Sequence, residues 1–231
     1  MANKQGLKPV MKRYLKKLMG SDCEYESHID NVFSIISKHL PFFHPANLLD
    51  VGCGNGGRTI LLAQHFNIEA GQIYGIDFHE PYLQQCMDQF NAVQADLESG
   101  HLPYSNDRFD LVICNQVLEH LKDFHSILYD IVRVTKPGGY IIIGIPNLAH
   151  LINRFYLLFG IQPICIALQS SHVRGFTHKA FEQILQLTPG ITYMACAGSK
   201  LIYPLPLPLA NPISKVCIGI CAYTCYLVKK S

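Results

Sequence analysis

The stretch "LLDVGCGNGGRT", residues 48–59, decides how this chain is expected to fold. An apolar run ends at an acid, and four glycines follow within six positions. Glycine is a poor choice beside a strand unless the backbone must turn tightly or let another group approach closely. The stretch therefore predicts a strand, a ligand-binding loop and the start of a helix.

Apolar runs alternate with segments of helical periodicity from residue 47 onward. The predicted strands are "NLLDVG", "QIYGIDF", "NAVQADL", "FDLVICNQV" and "YIIIGIPN", with the helices "RTILLAQHF", "PYLQQCMDQF" and "HSILYDIVRVT" between them and a turn at "KPGG". Five such units predict an α/β fold with a doubly wound, mainly parallel sheet. Two later strands, "GITYMACAG" and "TCYLVKK", extend it to seven, and Thr177 is expected to cap a helix before them.

The length and patterning predict a single domain over residues 1–231, with residues 1–44 as an N-terminal helical segment. In that segment Ser27 is expected to cap a helix, and apolar residues at helical spacing follow it. These are Ile29, Val32, Phe33, Ile36 and Leu40.

The composition limits which binding partners and which cellular compartment we expect for this protein. The net charge of +2 excludes wholesale binding of nucleic acid. Nine cysteines without a signal peptide or a C-x-x-C pair favour reduced thiols and a cytoplasmic protein. No apolar run reaches the ~20 residues that span a bilayer. Residues 148–168 and 216–228 are apolar enough to lie against a membrane surface, which would make the protein peripheral there.

The glycine loop admits more than one ligand. Gly52, Gly54 and Gly57 form the G-x-G-x-x-G dinucleotide fingerprint, so an NAD-dependent oxidoreductase is one alternative. Asp50 argues against this alternative, because its carboxylate would repel the pyrophosphate of the dinucleotide. A cationic or amine-bearing ligand would instead be attracted to it. A P-loop is excluded because no lysine-serine pair follows the glycines.

The segments "LDVGCGNGG", "YGIDF", "VQADL", "FDLVICNQVLEHL" and "RVTKPGGYIIIGIPN", over residues 47–147, resemble the class I S-adenosylmethionine-dependent methyltransferases in family order. The similarity is greatest to the small-molecule branch, which includes quinone-biosynthesis methyltransferases. This resemblance implies a Rossmann-like methyltransferase fold, S-adenosylmethionine as cofactor and methyl transfer to a small molecule. A protein that keeps this fold only for binding or regulation is a second alternative.

The resemblance also implies roles for residues at the carboxyl ends of the strands. The acid before the glycines contacts the methionine part of the cofactor, and the acid after the second strand accepts hydrogen bonds from the ribose. The pair after the third strand binds adenine, and the pair after the fourth lies next to the sulfonium. The predicted cofactor-binding residues are Asp50, Gly52, Cys53, Gly54, Asp77, Phe78, Asp96, Leu97, Asn115 and Gln116.

Methyl transfer mainly requires alignment of the acceptor with the methyl group, and a base only where the acceptor carries a proton of high pKa. The candidate catalytic residues are His120, Glu119 and His172. Some quinone O-methyltransferases bind a divalent ion through acids near this position. Here the neutral Gln116 stands three residues before Glu119, and two remaining ligands are a thin basis for a site. The sequence therefore predicts no metal.

Residues 147–176 and 198–215 correspond to places where members of the family carry substrate-covering insertions. Both are apolar here, with "RFYLLFGIQPICIAL" in the first and "KLIYPLPLPLANP" in the second. An apolar cover favours a hydrophobic acceptor such as a quinone ring or a lipid. The alternative is that the two segments simply bury each other.

Overall fold

The computed structural model describes residues 31–199 and 217–231, whose strands form one seven-stranded sheet. The strands are β1 (Leu48–Val51), β2 (Ile73–Asp77), β3 (Asn91–Gln94), β4 (Phe109–Asn115), β5 (Thr135–Pro146), β6 (Ile191–Ser199) and β7 (Tyr223–Lys230). Their order is β3-β2-β1-β4-β5-β7-β6. β7 runs antiparallel to both neighbours, and the other pairs are parallel. This confirms the doubly wound, mainly parallel fold.

A helix precedes β1, and further helices lie between the strands. They are α1 (31–39), α2 (Gly57–Phe66), α3 (Glu80–Leu83), α4 (Phe124–Val134), α5 (Leu151–Leu158) and α6 (His178–Leu187). The predicted cap of α6 is confirmed, because the Ala180 amide donates to the Thr177 hydroxyl at 3.3 Å. Asp123 caps α4 in the same way, by accepting from the Ser126 amide.

Two local predictions are corrected by the structure. The helix expected over "PYLQQCMDQF" ends at Leu83, because beyond it the backbone mixes three- and four-residue hydrogen bonds while Leu83, Cys86 and Phe90 pack inward. "KPGG" lies within β5 rather than in a turn before it, and β5 shifts register against β4 at this point. Ser27 and the proline-rich segment lie outside the described residues, as does most of the expected insertion over 198–215.

The sheet is covered by apolar side chains on both faces. In β5, Ile141 and Ile143 belong to one core cluster, and Ile142 belongs to the cluster on the other face. From α1, Val32 and Ile36 join the second cluster and are almost completely buried. Because both faces are covered, ligands have access to the sheet mainly at the carboxyl ends of its strands.

Two further observations concern membrane-spanning helices and the state of the cysteines. Within residues 31–199 and 217–231, no helix combines the length and the apolar character needed to cross a bilayer. The eight cysteines in these ranges are all free thiols.

Candidate functional site

The glycine loop between β1 and α2 is held against the tip of β2. Gly52 and Cys53 both donate their amides to the Ile76 carbonyl, at 2.7 and 2.9 Å. Gly52 has φ +80°, and a Cβ there would overlap the side chain of Val117. Gly54 also has a left-handed backbone, at φ +55°, but no atom would lie within 4 Å of its Cβ. Gly52 is therefore required for packing, whereas Gly54 leaves open space.

This open space belongs to a cavity of about 370 Å³ at the carboxyl ends of β1 and β4. The size lies within the roughly 300–1,000 Å³ typical of small-molecule sites. Six predicted cofactor-binding residues line it, namely Asp50, Gly52, Cys53, Gly54, Asn115 and Gln116. The structure thus brings together residues from the glycine loop and from the end of β4.

Other residues of the cavity wall were missed by sequence reasoning. They are Val32, Asn55, Arg58, Leu62, Tyr82 and Ile113. Asn55 and Arg58 lie next to the glycines, so their position in the loop could have predicted that they line the cavity. Val32 and Tyr82 come from α1 and α3, and nothing in their local sequence marks them as ligand contacts.

Asp50 carries the negative charge of the cavity wall. Its side chain accepts a 2.6 Å hydrogen bond from the Thr59 hydroxyl, and only 5% of the residue is exposed. Burial raises the pKa of Asp50 to about 6, although the Thr59 hydrogen bond and the Arg58 charge act in the opposite direction. A cation placed beside this carboxylate would replace the lost solvation and favour ionisation. The wall is therefore suited to a positively charged ligand.

Asp77 ends β2 and ties the glycine loop to it. One carboxylate oxygen accepts the Gly54 amide and the other accepts the His79 amide, both at 2.8 Å. Each oxygen keeps a second lone pair for a ligand. Phe78 next to it is 67% exposed. The structure leaves Asp77 able to accept from a ribose diol, and that role stays a prediction.

Asp96 and Leu97 lie apart from the residues that line the cavity. Asp96 is exposed and caps the short turn Leu97–Ser99 by accepting the Glu98 amide at 3.0 Å, while Leu97 is buried in the core. The observed role of Asp96 is thus structural. Adenine binding by this pair stays a prediction.

Gln116 and its neighbour complete the wall after β4. Gln116 has the unusual φ of +61°, and its amide donates to the Gly144 carbonyl of β5 at 2.8 Å. The Asn115 amide group packs so closely on Gly144 that any Cβ there would overlap it. Such a strained backbone at the end of a strand is typical of a site that orients side chains toward a ligand.

The three candidate catalytic residues form one cluster. Two of them follow Gln116 of the cavity wall closely in the chain. Glu119 lies in the turn Leu118–His120, and its carboxylate is 1% exposed. Oε1 lies 4.0 Å from His120 Nε2 and 3.9 Å from His172 Nε2. Burial raises the pKa of Glu119 to about 8. The sequence predicted each residue separately, and the fold brings all three together; their catalytic role stays a prediction.

Comparisons with known proteins agree with this geometry. Residues 49–143 match the family model described as a methyltransferase domain. The chain is 37% identical over 100 residues to the demethylmenaquinone methyltransferase of Bacillus mycoides, covering 41% of this chain and 42% of that protein. It is 30% identical over 128 residues to the ubiquinone biosynthesis O-methyltransferase of Rickettsia canadensis, covering 54% and 53%. The chain thus spans about half the length of these relatives.

Solved structures show the same fold over a longer stretch. A methyltransferase from Thermotoga maritima, described as a possible histamine N-methyltransferase, superposes with a TM-score of 0.65 at 17% identity, covering 97% of both chains. The seven-stranded sheet and its helices have the Rossmann-like fold of methyltransferases. Residues 49–143 are thus similar to the methyltransferase domain of the class I S-adenosylmethionine-dependent methyltransferases.

S-Adenosylmethionine is the cofactor of this class, and the observed wall fits it. The buried Asp50 offers a negative charge to the amino and sulfonium groups, and the open space at Gly54 admits a nucleoside close to the backbone. When bound, the cofactor supplies a methyl group already activated by its positive sulfur.

Proposed function

We propose that this protein transfers the methyl group of S-adenosylmethionine to a small, hydrophobic acceptor. The observation that carries the proposal is the cavity with a buried acid, Asp50, in its wall and an unobstructed glycine, Gly54, beside it. These residues bind and orient the donor, while Asn115 and Gln116 line the side of the cavity at β4. Neither the non-catalytic alternative nor an NAD-dependent oxidoreductase is favoured by the comparisons.

The proposed acceptor is quinone-like. Two relatives bear names of quinone-biosynthesis methyltransferases, and residues 147–176 contain an exposed apolar surface. We call this surface the α5 patch; it consists of Phe155, Leu157, Leu158, Phe159 and Ile161, each at least half exposed. Large exposed apolar patches of this kind favour an interaction site rather than bare contact with water.

Charge supports placing the α5 patch at a membrane surface. No acidic residue lies between Asp130 and Glu182, whereas Arg154, Arg174 and the exposed Lys179 fall within that range. An anionic lipid surface attracts such a segment, and apolar side chains can then enter the interface. A hydrophobic acceptor dissolved in the bilayer would be reached from there. We therefore propose a cytoplasmic protein that contacts the membrane peripherally.

The activity is tested with labelled S-adenosylmethionine and quinol acceptors whose isoprenoid tails differ in length. We expect transfer of label to the acceptor, and loss of both cofactor binding and transfer in Asp77→Ala. Asp88→Ala is the matched control, because Asp88 is exposed and is not among the residues that line the cavity; it should keep cofactor binding. If the wild type neither binds S-adenosylmethionine in calorimetry nor transfers label to an acceptor, the proposal fails.

Membrane contact is tested by sedimentation with vesicles that contain anionic lipid. Leu158→Glu should reduce binding because it places a charge within the α5 patch. Leu187→Glu is the control, because Leu187 is 82% exposed on α6 and outside the patch. Equal sedimentation of the two variants would contradict the membrane contact and leave the methyltransferase activity untouched.

A further inference from the structure

Glu119, His120 and His172 converge although they come from two distant parts of the chain. The amides of Val173 and Arg174 donate to the Glu119 carbonyl, at 2.9 and 3.3 Å, and join the segment before α6 to the turn after β4. One potential ligand atom of each of the three residues lies within 4.8 Å of the other two. The two imidazole centroids are 4.7 Å apart.

Hydrogen bonds set the orientation of both imidazoles. His120 Nδ1 lies 3.2 Å from the Ser171 carbonyl, and His172 Nδ1 lies 2.5 Å from the Cys165 carbonyl. A carbonyl oxygen can only accept, so each Nδ1 carries the hydrogen and each neutral ring keeps a lone pair on Nε2. Both Nε2 atoms face the same carboxylate. A histidine that binds a metal usually has this arrangement, with its second nitrogen donating to a carbonyl.

The Glu119 carboxylate has no hydrogen-bond partner within residues 31–199 and 217–231. Both of its oxygens are buried. Its separations of 3.9 and 4.0 Å from the two Nε2 atoms are too long for hydrogen bonds. A buried polar group in this condition is destabilising unless another group binds it. The nearby Arg174 does not do so, because its guanidinium donates to the Leu121 and Lys122 carbonyls instead.

We propose that Glu119, His120 and His172 form a binding site for one divalent transition-metal ion. Two imidazole nitrogens and one carboxylate are suited to zinc, cobalt or nickel, whereas magnesium prefers an all-oxygen set. In a tetrahedral complex with bonds of about 2.0 Å, ligand atoms lie ~3.3 Å apart. The separations of the Glu119 carboxylate from the two Nε2 atoms must therefore shorten by roughly 0.6–0.7 Å, and no pair of the three atoms must approach by more than about 1.5 Å. Three protein ligands leave a coordination position open, and the His120 side chain is 37% exposed.

This inference departs from the sequence, which predicted no metal because only Glu119 and His120 were counted as ligands. The third ligand, His172, is supplied by the fold. The site does not depend on the proposed methyl transfer, because the metal can be measured without donor or acceptor. Absence of metal binding would therefore not contradict the methyltransferase activity, and absence of methyl transfer would not contradict the metal site.

The test uses the untagged full chain after removal of metal with a chelator, titrated with zinc alone and with cobalt alone. We expect one ion per chain, a cobalt spectrum without thiolate charge-transfer bands, and no comparable binding of magnesium. Glu119→Gln and His172→Ala should each weaken zinc binding by at least about tenfold. His125→Ala is the matched control, because His125 is exposed and outside the cluster, and it should bind zinc like the wild type.

Thermal unfolding accompanies each titration, so that a misfolded variant is recognised. Zinc should raise the melting temperature of the wild type and of His125→Ala, but not that of Glu119→Gln, which preserves the shape of the buried side chain. The proposal is overturned if the wild type takes up no stoichiometric ion. It is equally overturned if folded Glu119→Gln binds zinc with unchanged affinity.

Discussion

Replacement of Asp50 by asparagine should make the protein more stable and a poorer binder of its cofactor. Burial raises the pKa of Asp50 from 3.8 to about 6, so the folded protein ionises this group less readily than the unfolded chain. The stability present below pH 4 is therefore lost as the pH rises through about 6. At 1.36 kcal/mol per pKa unit, the loss at neutral pH reaches about 3 kcal/mol. Asparagine does not ionise and avoids this loss, and Thr59 can still donate to its oxygen.

The assay is urea denaturation of wild type and Asp50→Asn at pH 4.5 and pH 7.5, beside calorimetry with S-adenosylmethionine. We expect the variant to gain up to about 3 kcal/mol over the wild type at pH 7.5 and only about 1 kcal/mol at pH 4.5. Its cofactor affinity should fall about 10- to 100-fold, the loss of one hydrogen bond to a charged group. A variant that is less stable than the wild type at pH 7.5, or that binds the cofactor unchanged, would refute the assignment of Asp50.

Further predictions concern the same cavity and one buried ion pair. Wild-type affinity for S-adenosylmethionine should fall about tenfold from pH 7.5 to pH 5 in calorimetry, because protonation of Asp50 competes with the cation. Gly54→Ala should fold with a penalty of about 1–2 kcal/mol for its left-handed backbone, yet lose cofactor binding because its Cβ enters the cavity. Gly52→Ala should lose a further ~1–3 kcal/mol in urea denaturation, because its Cβ also overlaps a packed side chain. Arg133→Met should lose about 3–5 kcal/mol, because it leaves the buried Asp130 carboxylate without its bidentate partner.

Each of these predictions has a control within the chain. Asp50→Asn should abolish the pH dependence of cofactor affinity. If the affinity of this variant still falls toward pH 5, the dependence belongs to another titratable group. Equal stability of the two glycine variants would contradict the clash at Gly52. Lys136→Met breaks a pair with Asp110 whose side chains are 35% and 22% exposed, and it should change stability by less than about 1 kcal/mol. A loss as large as that of Arg133→Met would argue against burial as the cause.

Much of the fold was predictable because its signals are local. The glycine loop, the apolar runs of β1, β4 and β5 and the Thr177 cap are each read within a dozen residues, and the structure confirms them. The helix expected after β2 was wrong beyond Leu83, because packing of the segment against the sheet outweighed its helical periodicity.

The residues of the candidate site likewise include some that the sequence predicts and others that it does not. The residues that follow strands were predictable, because the carboxyl ends of parallel strands meet at one edge of a sheet. Val32 and Tyr82 were not, since they reach the cavity only through the packing of α1 and α3. Periodicity likewise says nothing about which strand pairs with which, so the place of β7 between β5 and β6 came from the structure.

The sequence by itself determined the order of the α/β units, the glycine loop and the acids at the strand ends, because short-range patterning and the chemistry of single side chains specify them. Only the tertiary structure decided which side chains share a cavity, and that Glu119, His120 and His172 form one cluster. That cluster depends on backbone hydrogen bonds between segments some fifty residues apart, and contacts at that separation leave no mark in the local pattern.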